Sequence, residues 1–521
     1  MNKLSTSCLL LLPFFGFKAV TKEYQRPNIL VCVADDQSYP HTSAYGCKWV
    51  KTPGFDQVAH EGILFTNAFT PNAKCAPSRS CILTGRNPWQ LEAAANHVPY
   101  FPAKFKTYAE TLIDNGYHVG YTAKGWAPGV PGMKNGQIRE LLGPAYNEIK
   151  TDPPTTFISP IDYAANFEAF LNANKDGKPF CFWFGSHEPH RPYEFQSGIK
   201  KGREQLSIFD KVFDFWPDND TVRTDLQDYT FEIEYFDSHL QKMLRILKVK
   251  GLLENTIIIV TADNGMPFPR IKGNAYILSN HLPLAIMWPK GIKNPGRVFS
   301  GFVSLTDIAP TILNLAGIDT SKSGMQPMEG KSLVPIFSET QKGEFRDFMI
   351  IGKERTDLGR PDDKGYPIRG IVNGNFLYLR NYEPEHWPAG NPETGYMDCD
   401  GSPTKSFILN ERRSKGKSTY WDLNFGKHPG EELYLINMDQ ECINNLAENS
   451  KYIRVKDKLI KLMEQKLRKD KDPRILGNGA IFETYPYSDD NLRNFYNRLM
   501  SGERLKADWI NQTDIEKAKL Y

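Results

Sequence analysis

The stretch NAKCAPSRSCILTGR, residues 72–86, holds the side chains with the most distinctive chemistry in this chain. Cys75 precedes an Ala-Pro-Ser-Arg run, and a second cysteine, Cys81, follows it. A cysteine in such a setting can form a disulfide, bind a metal ion as a thiolate, or react as a nucleophile. The chemistry of the residues alone leaves all three possibilities open.

Carboxylate and amide side chains follow two apolar segments. RPNILVCVADDQS ends its apolar run at Asp35 and Asp36, and ENTIIIVTADNG ends at Asp263 and Asn264. Three carboxylates and an amide oxygen form the hard oxygen ligand set that Ca²⁺ or Mg²⁺ prefers, and neither pair contains the histidine expected for zinc. The alternative is that the first pair caps a helix or turn and the second is a simple turn.

Two histidines and two lysines lie in similar positions. His187 ends the apolar run of KPFCFWFGSHEPH, with His190 close behind, and Lys124 and Lys272 lie in GYTAKGW and FPRIKGN. Loop histidines are commonly structural, and loop lysines are commonly solvated. Spacing alone does not mark these four side chains as functional.

The elements that must position these groups alternate along the chain. Three apolar runs read as buried strands, and TYAETLIDNGYH and LQDYTFEIEYFDSHLQKMLRILKVKG have helical apolar spacing. Alternating strands and helices predict an α/β domain with a large, mainly parallel sheet flanked by helices. Ligands in such sheets gather beyond the carboxyl ends of the strands, where the polar groups lie.

The chain changes character after about residue 340. Short strand-like pieces (DFMIIG, IRGIVNGNFLYLRNY, EELYLI) alternate with Gly, Pro and Asp loops, and a basic helical segment, KYIRVKDKLIKLMEQKLRK, follows. This pattern predicts a smaller C-terminal α+β domain. We therefore expect a signal peptide at 1–22, a catalytic domain at 23–340, and a C-terminal subdomain at 341–521 that contributes to the substrate pocket.

Composition and the N-terminus restrict location and partners. The 64 basic and 61 acidic side chains leave a net charge of +3, which does not indicate a nucleic-acid partner. A basic start followed by CLLLLPFFGF is typical of a cleaved secretory signal and is too short to span a membrane. The cysteines that follow the predicted signal peptide are sparse, scattered and odd in number, so we expect no disulfide scaffold.

With these residues in view, the chain resembles the type I sulfatases. CAPSRSCILTGR matches their signature, Cys-x-Pro-Ser-Arg-x-x-x-Leu-Thr-Gly-Arg, at every defined position. RPNILVCVADD, GYHVGYTAK, VTADNG, VSLTDIAPTILNLAGI and EELYLINMDQECINNLA follow in the family's order. The resemblance implies the alkaline-phosphatase-like fold. It also implies that a maturation enzyme oxidises Cys75 to formylglycine and reads Pro77 and Arg79.

The resemblance also implies a role for each candidate residue. Residue 75 would complete the shell of one Ca²⁺ whose other ligands are Asp35, Asp36, Asp263 and Asn264. Arg79 would hold the formylglycine and the metal, and Lys124, His187 and Lys272 would contact sulfate. One hydroxyl of the hydrated aldehyde would attack sulfur, and the leaving oxygen or nitrogen would take a proton from His187 or Lys272.

One position departs from the family pattern. The family usually has a histidine two residues after the lysine that matches Lys124, placed as the base for the elimination step, and this chain has Trp126. Another residue must then take that role. His118 is near in sequence but falls within an apparent strand.

The leading substrate hypothesis is a sulfated glucosamine. TADNGMPFPRIKGNAY and HEPHRP look most like the N-sulfoglucosamine sulfohydrolase branch, which implies an exo-acting enzyme on the N-sulfate of heparan. The alternatives are an O-sulfatase acting on N-acetylglucosamine or galactose of glycosaminoglycan or mucin glycans, a formylglycine-dependent phosphodiesterase or phosphonate hydrolase, and an inactive glycan-binding relic. Export implies a periplasmic or extracellular enzyme, or a lysosome-like compartment in a eukaryote.

A charged loop is a candidate for binding the sugar. GKERTDLGRPDDKGYPIRG is dense in charge and in Gly and Pro between two predicted strands. We expect it to present Glu354, Arg355, Arg360 and Asp362 to the substrate, together with His190. The alternative is a solvated loop with local ion pairs.

Overall fold

A computed structural model describes residues 25–202 and 205–520. The predicted signal peptide at 1–22 lies outside the described residues. The strands are β1 Asn28–Ala34, β2 Ile63–Phe69, β3 His118–Ala123, β4 Met133–Lys134, β5 Gln137–Ile138, β6 Phe180–Gly185, β7 Thr256–Ala262, β8 His281–Met287, β9 Arg297–Phe299, β10 Val303–Ser304, β11 Met349–Lys353, β12 Ile368–Asn373, β13 Phe376–Asn381 and β14 Glu431–Leu435.

The helices of the described residues lie between and after these strands. They are α1 Pro53–His60, α2 Cys75–Thr84, α3 Tyr108–Asp114, α4 Tyr163–Ala173, α5 Ser197–Lys200, α6 Asp220–Val249, α7 Ile277–Asn280, α8 Ile308–Leu315, α9 Val334–Phe337, α10 Pro403–Lys415, α11 Thr419–Phe425, α12 Ile453–Lys469, α13 Ile481–Thr484 and α14 Phe495–Met500. No helix in the described ranges is both long and apolar enough to cross a membrane.

The large sheet has the strand order β10-β2-β8-β7-β1-β6-β3, with β9 paired to β2. Strands β3, β6, β1 and β7 run parallel, and β8 runs antiparallel to both of its neighbours. Every residue of β1, β6 and β7 is buried, as expected for near-continuous apolar strands covered on both faces. The predicted large, mainly parallel sheet is confirmed.

The longest described helix, α6, buries an apolar stripe in two core clusters: the part from Phe236 to Leu247 packs with the large sheet, and the part from Val222 to Ile233 packs in a second cluster. Asn219 caps its first turn by accepting hydrogen bonds from the backbone N–H groups of Thr221 and Val222. Its buried apolar residues recur every three or four positions, which is the helical period. They are Val222, Leu226, Tyr229, Ile233, Phe236, Leu240, Met243, Leu244 and Leu247.

The C-terminal part forms a second, antiparallel sheet of β11, β12, β13 and β14 in that order. Helix α12 covers one of its faces with Leu459, Met463 and Leu467, which are buried and four residues apart. Tyr276 of the large domain packs against the other side of this sheet. The predicted smaller α+β domain is confirmed, while its boundary at 340/341 stays a prediction.

Candidate active site

The carboxyl ends of β1 and β7 bring the two polar pairs together. These strands pair in register up to Ala34 and Ala262, so the residues that follow them meet at one edge of the sheet. Asp35, Asp36, Asp263 and Asn264 are all fully buried there. The N–H of Asp36 donates to Asp263 Oδ1 at 3.0 Å, and Asn264 Nδ2 donates to Asp36 Oδ1 at 2.7 Å.

Cys75 begins helix α2 and faces these carboxylates. Its Sγ lies 3.6 Å from Asp35 Oδ1 and 3.8 Å from Asp36 Oδ1. Every residue of α2 is buried, and the helix ends at Gly85. The φ of Gly85 is +69°, and a Cβ there would lie 2.8 Å from Met328 Cγ, so glycine suits this end.

Burial and the nearby carboxylate of Asp35 raise the pKa of the Cys75 thiol well above its usual value, although Lys124 opposes the shift. The unmodified thiol is therefore protonated and a poor nucleophile at neutral pH. All seven described cysteines are free, so Cys75 forms no disulfide with another described cysteine.

Three cations surround the carboxylates. Arg79 Nε lies 2.8 Å from Asp263 Oδ2, and Lys272 Nζ lies 2.7 Å from Asp36 Oδ2. Lys124 pairs with Asp35. Burial alone would raise the pKa of Asp35, but Lys124 and the other nearby cations hold it well below its ordinary value.

The carboxylates fit a hard divalent cation. Asn264 Oδ1 is buried and has no hydrogen-bond partner among the described residues, although the Nδ2 of the same amide donates to the Asp36 carboxylate. Ligand atoms of Asp35, Cys75 and Asp263 lie within 4.8 Å of one another. An unpartnered amide oxygen next to carboxylates is the donor set that Ca²⁺ or Mg²⁺ accepts.

A cavity of about 580 Å³ opens above this edge of the sheet. Its size and its convergent polar groups are typical of a small-molecule site. Both halves of the chain line it. The lining residues are Asp35, Lys74, Cys75, His97, Val98, Lys124, Ala127, Pro128, Phe157, Ser159, His187, Glu188, His190, Arg191, Glu232, Lys272, Asp357, Asp400, Tyr487, Asp489, Leu492 and Trp509.

Many of the residues singled out from the sequence therefore meet in one place. Lys124, His187, His190 and Lys272 line the cavity beside Cys75. The ring of His187 makes no hydrogen bond to a side chain or backbone group in the described part of the chain, and the side chain is exposed. Partial burial and Lys124 lower the pKa of His187.

The charged loop behaves differently from the expectation, because its four predicted side chains do not line the cavity. Glu354 is buried in ion pairs with Arg369 and Arg474, and Arg360 is buried against Asp398. Arg355 NH2 donates to the carbonyl of Tyr485. Asp362 is exposed and accepts a hydrogen bond from Asn497 Nδ2. These side chains are bonded to other parts of the protein, so the geometry gives these four assignments no support.

Trp126 has a packing role. Its Nε1 donates to Ser80 Oγ on α2 at 2.8 Å, and its ring packs edge-on against Phe101. His118 lies at the start of β3 and stacks on Phe170 with ring centroids 4.3 Å apart. Neither residue lines the cavity, so the histidine missing at position 126 is not replaced by His118.

Sequence reasoning missed several polar groups that line the cavity. Lys74 and Asp357 form a buried ion pair of 3.0 Å, and Asp400 lies 2.9 Å from Lys272 Nζ. His97 and Tyr487 line the cavity as well. Lys74 adjoins Cys75 in the motif and Asp357 lies within the charged loop, but no spacing pattern marks Asp400, His97 or Tyr487.

The fold and this site define a hydrolase of the alkaline-phosphatase-like class. The sulfatase family model matches residues 27–318, and the chain belongs to the sulfatase family. It is a sulfuric ester hydrolase.

Two curated relatives extend over most of the chain. An ulvan-active sulfatase of Formosa agariphila is 29% identical over 447 residues, covering 84% of this chain and 79% of that protein. The human N-sulphoglucosamine sulphohydrolase is 24% identical over 497 residues, covering 88% of this chain and 93% of that protein.

A solved structure supports the fold. It is described as a complex with its substrate, D-glucosamine-2-N,6-O-disulfate, and it matches with a TM-score of 0.61 at 20% identity. The match covers 86% of this chain and 99% of the other.

Proposed function

We propose that this protein is an exo-acting carbohydrate sulfatase that removes sulfate from a glucosamine-type residue. The N-sulfate of heparan is our first choice of substrate. The observation that carries the proposal is one buried cluster of Cys75, four oxygen donors and three cations, of which Asp35, Cys75, Lys124 and Lys272 line the cavity. The similarity to a human N-sulphoglucosamine sulphohydrolase supports the choice of substrate.

The proposal includes conversion of Cys75 to formylglycine by a maturation enzyme and one bound Ca²⁺. Asp35, Asp36, Asp263 and Asn264 would hold the ion together with residue 75. The formylglycine would supply a nucleophilic hydroxyl from its hydrated aldehyde, and the bound Ca²⁺ would supply a positive charge next to it. The intact motif and all four oxygen donors argue against an inactive glycan-binding relic.

The chain's own cations orient the sulfate group. Lys124 lines the cavity next to Asp35, and Lys272 lines it between Asp36 and Asp400. Negative charge spreads over the sulfate oxygens in the transition state, and fixed cations stabilise it without rearrangement. Arg79 is bonded to Asp263 and to the carbonyls of Lys124 and Gly125, so it fixes the position of Lys124.

The proton for the leaving group is best assigned to His187. Two of the three N–H groups of Lys272 already serve Asp36 and Asp400, whereas the His187 ring is free of protein partners in the described ranges. Burial and Lys124 lower the pKa of the His187 ring in the free protein, and a bound sulfate anion raises that pKa again, so that the ring can take up a proton and deliver it to the leaving nitrogen or oxygen. Lys272 then remains a charge that holds the sulfate.

Export belongs to the proposal as well. The basic start and the short apolar run before residue 20 support a cleaved signal and a periplasmic or extracellular enzyme. Residues 1–24 are outside the described ranges, so this part rests on sequence alone.

A panel of defined sugars tests the proposed function. Matured protein would be incubated with N-sulfated, 6-O-sulfated and 3-O-sulfated glucosamine and with 6-O-sulfated galactose, and free sulfate would be measured. We expect release from N-sulfated glucosamine, and none from any sugar with the Cys75→Ala variant. Release from an O-sulfated sugar alone would overturn the N-sulfate assignment while keeping the reaction type.

A further inference from the structure

One wall of the cavity is built around His97. The backbone N–H of His97 donates to the carbonyl of Arg355 at 3.1 Å, and the carbonyl of Val98 accepts from the N–H of Ser488 at 2.9 Å. Two distant segments of the C-terminal half thus hold this short loop from both sides. The His97 side chain is about nine-tenths buried, so its position is fixed by its surroundings.

Asp357 fixes the ring of His97. Its carboxylate accepts from His97 Nδ1 at 2.9 Å and from the Tyr487 hydroxyl at 3.2 Å, and it pairs with Lys74 Nζ at 3.0 Å. A carboxylate with these partners only accepts hydrogen bonds, so the proton of the neutral ring lies on Nδ1. Nε2 then carries a lone pair and can only accept a hydrogen bond.

This lone pair has no protein partner. His97 Nε2 is buried and makes no hydrogen bond within the described part of the chain, while His97 itself lines the cavity. Burial lowers the pKa of His97 to about 4 in spite of Asp357, so the ring is neutral at pH 7. A buried acceptor left without a donor is costly, and a bound molecule that supplies the donor recovers that cost.

Resting on the proposed function, we propose that His97 Nε2 accepts a hydrogen bond from a hydroxyl of the sugar that carries the sulfate group. Asp357 is the positioning residue that sets the tautomer of His97. A second sulfate at the same sugar position would present only acceptor oxygens to Nε2, so the subsite selects a free hydroxyl there. The His97 wall therefore contributes to specificity, while Lys124 and Lys272 hold the sulfate.

The test compares wild type with His97→Phe on three kinds of substrate: the sulfated sugar, its monodeoxy analogues, and 4-nitrophenyl sulfate, which has no sugar hydroxyl. We expect wild type to lose roughly 10- to 100-fold in kcat/KM on one deoxy analogue. His97→Phe should lose a similar factor on the parent sugar and be insensitive to that deletion, because the two changes remove the same bond. The loss that His97→Phe causes on the aryl sulfate should be much smaller than the loss on the sugar, because the aryl sulfate has no hydroxyl to donate to His97.

A second variant guards against a change in packing. His97→Gln can present its amide oxygen as an acceptor and should regain part of the lost kcat/KM. Equal kcat/KM for His97→Phe and wild type on the sugar would overturn the proposal, and so would parallel losses on sugar and aryl sulfate. Failure of the proposed function gives a different result from failure of the His97 proposal. In that case wild type cleaves the aryl sulfate and no sugar at all, which overturns both proposals.

Discussion

His187 is the side chain whose role depends most on the leaving group. A sulfamate nitrogen or an alkoxide leaves poorly without a proton, whereas 4-nitrophenolate leaves without one. His187→Ala should therefore lower kcat on the sugar by about 10²- to 10⁴-fold and lower kcat on 4-nitrophenyl sulfate far less. Steady-state kinetics on both substrates measure the difference.

The exposed His60 at the end of α1 offers a matched control. His60→Ala should leave both rates unchanged. Equal losses of His187→Ala on the two substrates would instead indicate that His187 contacts the sulfate group and donates no proton.

Trp126 stands where the family usually has a histidine, yet its contacts are those of a packing residue. Its Nε1 holds Ser80 of α2 at 2.8 Å. Trp126→Phe removes that hydrogen bond, so the unfolding free energy should fall by about 1 kcal/mol while kcat/KM stays within a few-fold of wild type. Thermal unfolding and sulfate release measure the two effects.

Trp288 supplies the comparison, because its indole N–H has no hydrogen-bond partner among the described residues. Trp288→Phe should destabilise the protein less than Trp126→Phe. Abolished sulfate release in a folded Trp126→Phe protein would show that the indole takes part in the chemistry.

At the scale of elements, Arg369 on β12 ties the C-terminal sheet to its surroundings. It is buried and pairs with Asp472 at 2.8 Å and with Glu354 at 2.6 Å. Arg369→Met would leave both carboxylates buried and partly unpaired, so we expect a loss of about 3–5 kcal/mol in unfolding free energy. Chemical denaturation measures this loss.

Arg454 on α12 is exposed and serves as the control. Arg454→Met should change the unfolding free energy by less than about 0.5 kcal/mol. Similar small effects of both substitutions would contradict a structural role for the Arg369 cluster and reopen Glu354 as a group available to the substrate.

The elements themselves were largely predictable from local pattern. The apolar runs before Asp35, His187 and Asp263 became adjacent strands β1, β6 and β7, because fully buried strands require continuous apolar sequence. The antiparallel direction of β8 was not predictable, since direction depends on the path of the connections.

The sequence predicted the cluster of carboxylates and cations around Cys75, but it did not predict the cavity wall around His97. The strand ends and the Cys75 motif are local features, so their place in one site could be predicted from the sequence. His97, Asp357 and Tyr487 meet only through tertiary packing across 260 and 130 residues of chain, which no local pattern encodes. Charge density in the loop at 352–370 was misleading, because Glu354 and Arg360 pair with charged groups elsewhere in the fold and only Asp357 of the loop lines the cavity.

At the scale of the whole molecule, the proposed metal site links ligand binding to stability. A cation that binds the folded chain alone stabilises it by about 2.7 kcal/mol at one hundred times its Kd. Added Ca²⁺ should therefore raise Tm, and a chelator should lower it again. Asp263→Asn should weaken this response, because it removes one of the carboxylates.

Asp457 lies exposed on α12 and gives the matched control. Asp457→Asn should respond to Ca²⁺ as wild type does. An unchanged Tm over a full Ca²⁺ titration of the wild type would contradict the assignment of the four oxygen donors to a metal ion.

The most direct test of the whole account relates the state of residue 75 to turnover. Preparations with different degrees of maturation would be analysed by peptide mass for the formylglycine fraction and assayed for sulfate release from N-sulfated glucosamine. We predict a rate proportional to the formylglycine fraction, with a zero intercept that Cys75→Ala shares. A rate independent of that fraction, or activity in Cys75→Ala, would contradict the account.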